Sequence, residues 1–462
     1  MTDDSLATGL RSLGPARPTV PLEPPPTAGC PATSGTAIQY PLEVTYDLEA
    51  VDPVLFERPI RAGLERWAPL LPPLVPGIGI GAGGTPLVDS GALVDEWGLE
   101  ELLAGPTRSD GEGGSEGRGS TRDGESTAAP STADLFLKDE SRNPTWSHKD
   151  RLARTVVSAA VRADAAGLVV SSSGNHGAAT AAHAARAGLP CVVLTSPRTP
   201  PAMQAFVRQY GATVLAVRDG EARREAVDRL AADHDFHPAS TRTPVHTGHP
   251  WGPEGYTTIA YELLAQLGGR PPGTVAVPTC FAELLYGIWK GFRTMETLGV
   301  IGESPTMVAC EPGVRAPLVE ALRTGEPVAT VEPAETEAYS IKAVTSSVRG
   351  RRAVEESDGI AIGVPESDIE RARVDLARSG CWQEVSGAAG MGGLVTLAGD
   401  EPDEHAVDAS GKPVTDPSLP TPVVAVGTAS GFKDGRRFEA PVVEGDPAAI
   451  ENALVEAGVL GG

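Results

Sequence analysis

Between residues 152 and 235 the sequence repeats one rhythm, and that rhythm restricts the fold more than any other feature. The helix-like stretch "LARTVVSAAVRADAAG" runs into the apolar run "LVVSSSGNHG". "AATAAHAARAG" then leads to "LPCVVLTS", "PPAMQAFVRQYG" leads to "ATVLAV", and "EARREAVDRLAAD" closes the series. Apolar runs without polar alternation read as strands buried on both faces. Separated by helices of about 10–15 residues, they predict a parallel sheet covered on each side. Pro at the start and Gly at the end of "PPAMQAFVRQYG" mark the limits of one helix. The rhythm returns later: "YTTIAYELLAQLGG" precedes "TVAVPT", "AELLYGIWKGFRTMETLG" precedes "TMVACEP", and "GAAGMGGLVTLAG" precedes "PVVAVGT". The expected fold is α/β, with two three-layer doubly wound parallel-sheet domains and a cleft between them. The active site is expected in that cleft, at the C-terminal ends of the strands.

Other stretches interrupt this pattern. A chain of 462 residues is long for one core, so two domains are the default. Residues 1–29 are rich in Pro, Thr and Gly and are expected to lack fixed structure, with 30–78 as a lead segment. Two polar stretches, 104–133 and 399–420, read as insertions, and the first is nearly devoid of apolar residues. No run approaches 18 apolar residues, and the acidic start "MTDDSLATGL" has no basic region followed by an apolar run, so a cytoplasmic protein is expected. The net charge of −23 repels nucleic-acid backbones and acidic membranes, so neither is expected as a partner. This acidic, Ala-, Gly- and Val-rich composition resembles that of proteins from salt-loving cells. Five cysteines are scattered with no C-x-x-C spacing, which argues against a zinc ribbon or redox pair, and no metal is expected.

Two stretches carry candidate chemistry. In "LVVSSSGNHGAAT" a buried strand ends in a Ser-Ser-Ser-Gly-Asn-His-Gly turn and a helix begins at once. Converging amides and the helix dipole make such a turn a cradle for a carboxylate or phosphate. An ordinary strand-to-helix turn with a Ser cap would read the same way. In "NPTWSHKDR" one of only six lysines, Lys149, stands where a helix should start. A solvated amine behind a Ser147 cap is one reading. A lysine at the mouth of a cleft, partly desolvated and able to attack an aldehyde, is the other.

Together these stretches resemble the threonine synthases, within the fold-type-II pyridoxal phosphate enzymes. "LFLKDESRNPTWSHKDR" is similar to that family's "N-P-T-G-S-F-K-D-R" lysine segment, and "SSSGNHGAATAAHAARAGLP" to its substrate-carboxylate loop. "GAGGTPLV" resembles its "E-G-G-T-P-L", "VAVGTASGFKD" its "T-G-x-G-L-K", and "CPATSGTAIQYPLEVTYDL" its lead segment, with Cys30 alone of the cysteines. The likeness spans residues 30–435 apart from the insertions. It implies pyridoxal 5'-phosphate as cofactor, linked to Lys149. Asn175 would meet the phenolic oxygen, Thr428 would face the pyridine nitrogen, and Ser172, Ser173, Gly174 and His176 would hold a small amino-acid substrate by its carboxylate. It implies a large cofactor-binding domain (79–151 and 246–462), a small α/β domain (152–245) and a homodimer. The implied activity is lyase chemistry: elimination or replacement at the β or γ carbon, as in turning O-phosphohomoserine into threonine. The alternatives are a serine, threonine or diaminopropionate ammonia-lyase, a cysteate synthase-like enzyme, or a non-catalytic binding or regulatory protein of the same fold.

The sequence departs from the family where the cofactor phosphate should lie. In "VAVPTCFAELLYGIWKGF", Cys280 and Ala282 stand where glycines are expected, Phe281 lies between them and Glu283 follows. Thr279 offers a compensating hydroxyl. His148 replaces a Phe, and Trp146 replaces a Gly and is expected to narrow the entrance. Arg151, Lys342, Arg349 and Lys433 are candidates to grip a substrate phosphate, with salt bridging as the other reading of each.

Overall fold

The apolar runs become strands whose alternate residues face two different cores. The computed structural model describes residues 4–105, 134–172, 174–435, 440, 442 and 447–459. Three sheets form among the described residues. Strands β1 (Ala7–Ser12), β2 (Thr19–Val20) and β3 (Leu42–Tyr46) make a small antiparallel sheet in the order β2-β1-β3. Strands β4 (Leu87–Asp89) and β5 (Leu135–Asp139) belong to a large sheet. Strands β6 (Gly167–Ser171), β7 (Cys191–Thr195), β8 (Thr213–Ala216) and β9 (Phe236–Pro238) form an all-parallel sheet ordered β8-β7-β6-β9. Strands β10 (Thr274–Pro278), β11 (Thr306–Pro312), β12 (Ile360–Val364), β13 (Ala406–Asp408) and β14 (Val423–Gly427) complete the large sheet, in the order β13-β12-β11-β10-β14-β5-β4. Its inner strands are parallel, and β13 and β4 run antiparallel at the two edges.

The double winding follows from a period of two. Val275, Val277, Met307, Ala309, Val424 and Val426 enter one core. The residues between them, Ala276, Val308, Val423 and Ala425, enter the other. Helices Gly252–Gln266 and Glu283–Thr297 cover the first face, and Val385–Leu397 lies on the second. That last helix approaches closely because it is built from small residues: a Cβ on Gly393 would stand 2.5 Å from the Cys310 sulfur.

Two expectations need correction. Residues 1–29 are not structureless among those described, since β1 pairs with β3 and Leu10 is fully buried with Cys30, Leu42 and Val44. The pairing partner lies over thirty residues away, so local composition could not reveal it. Likewise 399–420 is no mere insertion: Ala406 and Val407 are fully buried in β13, which closes one edge of the large sheet. Of the stretch 104–133, residues 106–133 lie outside the described residues.

A buried ionic cluster ties strand, turn and helices together. Lys138 on β5 donates to Glu262 Oε2 at 2.7 Å, and Arg151 reaches Glu140 Oε2 and Glu262 Oε1, each at 2.7 Å. All four side chains are essentially inaccessible to water. Burial alone would raise the Glu262 carboxyl, yet Arg151 and Lys138 hold it well below its ordinary range. Arg151 is therefore structural and no substrate grip. Removing one member strands the others: Arg151→Met should cost about 3–5 kcal/mol in urea unfolding, as for other broken buried pairs.

A second buried polar pair joins the four-stranded parallel sheet to the segment before helix Gly252–Gln266. His237 Nε2 lies 2.8 Å from His249 Nε2. The Trp251 amide donates to His249 Nδ1, so His249 carries its proton on Nε2 and donates it to His237. Burial keeps both imidazoles neutral, pushing His237 down to about 4 and His249 well below its ordinary value. The unfolded chain then binds protons that the folded pair refuses. Stability from this pair is complete above about pH 6.5 and is lost as pH falls toward 4, with His237 accounting for roughly 2 kcal/mol at pH 5. Urea titrations across pH 4–7 should show that slope, and His237→Gln should flatten it.

Candidate active site

Lys149 is placed by its neighbours. It opens helix Lys149–Arg162, and the next two residues are locked inside the protein. Asp150 accepts from the Thr145 amide at 2.8 Å and its hydroxyl at 2.9 Å, while Arg151 is held in the ionic cluster. These bonds fix the rotation of the first turn. Ser147 was the expected cap, but its hydroxyl has no partner, and His148 occupies the cap position without a side-chain cap bond. With that phase set, the Lys149 side chain enters a cavity of 380 Å³ between the two parallel sheets. Its amine donates to Tyr256 Oη at 3.1 Å. Burial pushes the amine below its ordinary pKa, against the pull of Glu283 and Glu384.

His148 is buried beside it. Both its backbone amide and Nδ1 donate to the Thr428 carbonyl at 3.0 Å, which fixes the tautomer. Burial and the Lys149 charge push its pKa far down, so the ring is neutral. Trp146 does not narrow the entrance: its φ of +61° turns it outward, 47% exposed, to stack on Phe206 at 5.3 Å.

The cavity gathers most of the residues singled out in the sequence. Ser172, Gly174, Asn175, His176, Cys280, Phe281, Ala282 and Thr428 all line it with Lys149. Ser173 lies outside the described residues. Thr279 does not line it, since its hydroxyl donates to the Val277 carbonyl at 2.8 Å.

The turn after β6 is organised by Ser172. Its Oγ accepts from the amides of Gly174 at 3.2 Å and Gly177 at 2.9 Å, while its own amide donates to Leu194. The amides of Asn175 and His176 remain as the donors of the first turn of helix Asn175–Ala187. His176 Nε2 is buried without a partner, and burial pushes this imidazole down to about 3. Asn175 is held at both ends, its Nδ2 donating to Glu384 at 2.8 Å and its Oδ1 accepting from Lys433 at 2.7 Å. One amide hydrogen of Asn175 remains for a ligand. Burial raises Glu384 and lowers Lys433, each opposed by the other's charge, and Glu384 Oε2 has no partner.

The loop after β10 feeds helix Glu283–Thr297. Ala282 sits at φ +58°, the left-handed region usually left to glycine. Glu283 does not point away: it lines the cavity, with Oε1 3.6 Å from His246 Nε2 and 4.0 Å from Arg349 Nη1. Burial would raise its carboxyl, but His246, Arg349 and Lys149 hold it far down. The His246 ring stacks on Phe281 at 4.0 Å. Arg349 is buried and donates to the Thr247 and Leu42 carbonyls, so it too is structural. Lys342 is exposed and does not line the cavity.

Sequence reasoning missed Tyr256, Glu384 and His246, and with them the hydroxyls of Ser240, Thr241 and Thr243 beside Arg224 on the same wall. Tyr256 lies in helix Gly252–Gln266 and Glu384 just before helix Val385–Leu397, both buried on nearly every side, and no local signal marks either residue. For an aldehyde cofactor the residues fit at the amine, supplied by Lys149, and at the ring, supplied by Asn175 and Thr428. The anion end, at the start of helix Glu283–Thr297, holds a carboxylate of the chain itself.

Comparisons with known proteins bear on the family and the fold. A family model described as pyridoxal-phosphate dependent enzyme matches residues 124–407. The threonine synthase of Methanosarcina acetivorans is 31% identical over 268 residues, 57% of this chain and 65% of that protein. The threonine synthase of Methanocaldococcus jannaschii is 28% identical over 436 residues, 90% of this chain and 93% of that one. A fungal L-serine ammonia-lyase from Rhizomucor miehei superposes with a TM-score of 0.55 at 18% identity, covering 75% of this chain and 93% of that chain. An O-ureido-L-serine synthase does so with a TM-score of 0.53 at 21% identity, covering 82% and 100%. The structural likenesses speak to the fold.

Proposed function

The chain belongs to the family of pyridoxal-phosphate dependent enzymes, whose cofactor is pyridoxal 5'-phosphate, and on that premise we propose a threonine synthase-like lyase that eliminates or replaces a substituent at the β or γ carbon of a small amino acid. One observation carries the reading. A partly buried amine on the first residue of a helix shares a cavity with a helix start suited to a carboxylate. The bound cofactor supplies the electron withdrawal that makes Cα–H acidic. The remaining work falls to side chains and amides of the chain. The Asn175 and His176 amides, with the Ser172 hydroxyl, hold the substrate carboxylate at the positive end of a helix. That grip orients Cα–H toward Lys149. Lys149, its neutral form favoured by burial, takes the proton from Cα and returns it, steadied by Tyr256. Thr428 presents a neutral hydroxyl residue to the ring, and neutral His148 adds no charge beside it. Ser240, Thr241 and Arg224 line the wall where an oxygen-rich leaving group would find donors, while the Thr243 hydroxyl on the same wall donates to the Val245 carbonyl at 2.6 Å.

O-phosphohomoserine is the first substrate to test, supported by the likeness to threonine synthases over most of the chain. A serine or threonine ammonia-lyase is favoured by one observation: Arg224, the cation on the leaving-group wall, already pairs with Glu221, which disfavours a phosphorylated substrate. A substrate panel separates the two: phosphate release from O-phosphohomoserine supports the synthase, and ammonia with a keto acid from serine or threonine supports the lyase. In either case Lys149→Ala should lower turnover by about 10²–10⁴-fold or more. Borohydride reduction followed by peptide mapping should place the cofactor on the peptide containing Lys149. Cofactor fixed elsewhere, or retained visible absorbance in the variant, would refute that assignment.

A further inference from the structure

We propose that Glu283 is a built-in anion at the phosphate end of the cofactor cavity, so that this chain discriminates little between pyridoxal 5'-phosphate and unphosphorylated pyridoxal. The inference rests on the cofactor reading above and concerns how the cofactor is held.

Several helices begin at the cavity wall: Lys149–Arg162 opens with the amine itself, Gly220–Asp233 opens on the wall proposed for the leaving group, and Val385–Leu397 opens behind Glu384, while Asn175–Ala187 and Glu283–Thr297 present the unpaired amides of a first turn. The start of Asn175–Ala187 is the one proposed for the substrate carboxylate. With those assignments the start of Glu283–Thr297 is the place left for a phosphate, and there the chain supplies its own carboxylate. Glu283 is 9% exposed, and its Oε1 is buried without a hydrogen-bond partner. The position is built for it. Residue 248 is a glycine at φ +60°, and a Cβ there would stand 1.9 Å from Glu283 Oε1. The surrounding loop is filled as well: Phe281 and His246 stack at 4.0 Å, and a Cβ on Gly350 would meet the Ala282 methyl at 2.8 Å.

Charge points the same way. The nearby cation, Arg349, already faces Glu283 and is fixed by two backbone carbonyls. Of the cations lining the cavity, Lys149 is committed to the aldehyde and Arg224 pairs with Glu221. His148 and His176 are neutral. Arg349 and His246 both face Glu283 and are taken up by it, so a phosphate dianion meets no surplus positive charge there beyond the helix amides. The cofactor is then held chiefly by Lys149 and by contacts to its ring.

The test is a titration of the full-length protein, stripped of cofactor, with pyridoxal 5'-phosphate and separately with pyridoxal, read by visible absorbance and equilibrium dialysis. Dissociation constants within about tenfold of each other for the wild type are expected. Glu283→Gln, which keeps the shape and removes the charge, should tighten the phosphate form by about tenfold or more and leave pyridoxal within about twofold. Glu283→Gly serves as a second variant, with melting curves to confirm that each is folded. A wild type that prefers the phosphate form by more than about tenfold, or Glu283 variants with unchanged affinity for it, would overturn the inference and leave the cofactor reading standing. Uptake of neither aldehyde would overturn both.

Discussion

The site depends on the buried ionic cluster of Lys138, Glu140, Arg151 and Glu262. Two cations and two carboxylates lie out of water, each satisfied by the others. Such a cluster adds little net stability compared with an apolar core, but it tolerates no missing member. Its value here is positional. Lys138 sits on the strand that enters the site, Glu140 in the turn, and Arg151 two residues beyond Lys149. Glu262 lies on helix Gly252–Gln266, whose earlier turn carries Tyr256. One helix therefore clamps the start of the lysine helix and also supplies the hydroxyl that meets the lysine amine. A shift of either helix would unpair buried charges, so the lysine cannot drift without a large cost.

What the sequence made legible has a common physical origin. Apolar runs of fixed period announce strands buried on both faces, and the two parallel sheets follow. The turn chemistry of "SSSGNHG" and the odd position of Lys149 announced two corners of the cavity. The misses share an origin too. Strand β1 lies in a Pro-, Thr- and Gly-rich stretch and the edge strand β13 is very short, and only their distant partners make them strands. Tyr256, Glu384 and His246 arrive from elements folded in from far along the chain. Trp146 was misjudged because a positive φ reverses its side chain, and no propensity scale anticipates that at a tryptophan. Thr279 was misjudged because its hydroxyl is satisfied by its own strand.

The electrostatics of the cavity differ from those of the whole molecule. The chain carries a net charge of −23, yet the cavity lining pairs Lys149 and Arg224 with Glu283 and Glu384 and adds histidines. Burial drives the titrating groups toward neutrality, lowering His148, His176 and Lys149 and raising Glu384. Glu283 is the exception, held charged by its neighbours. A nearly neutral site lets proton transfers proceed without fixed charge opposing them, and it leaves binding selectivity to the one carboxylate that stays ionised.

The cleft has one further constraint, which joins its two walls. Asn175 begins a helix packed on the four-stranded parallel sheet, while Glu384 and Lys433 belong to the segments flanking the large sheet. The amide lies between a carboxylate and an ammonium, donating to one and accepting from the other. It is a polar joint between the start of helix Asn175–Ala187 and the segments that carry Glu384 and Lys433. A ligand that took the remaining amide hydrogen would strengthen the same joint, because hydrogen bonds in a dry chain polarise one another.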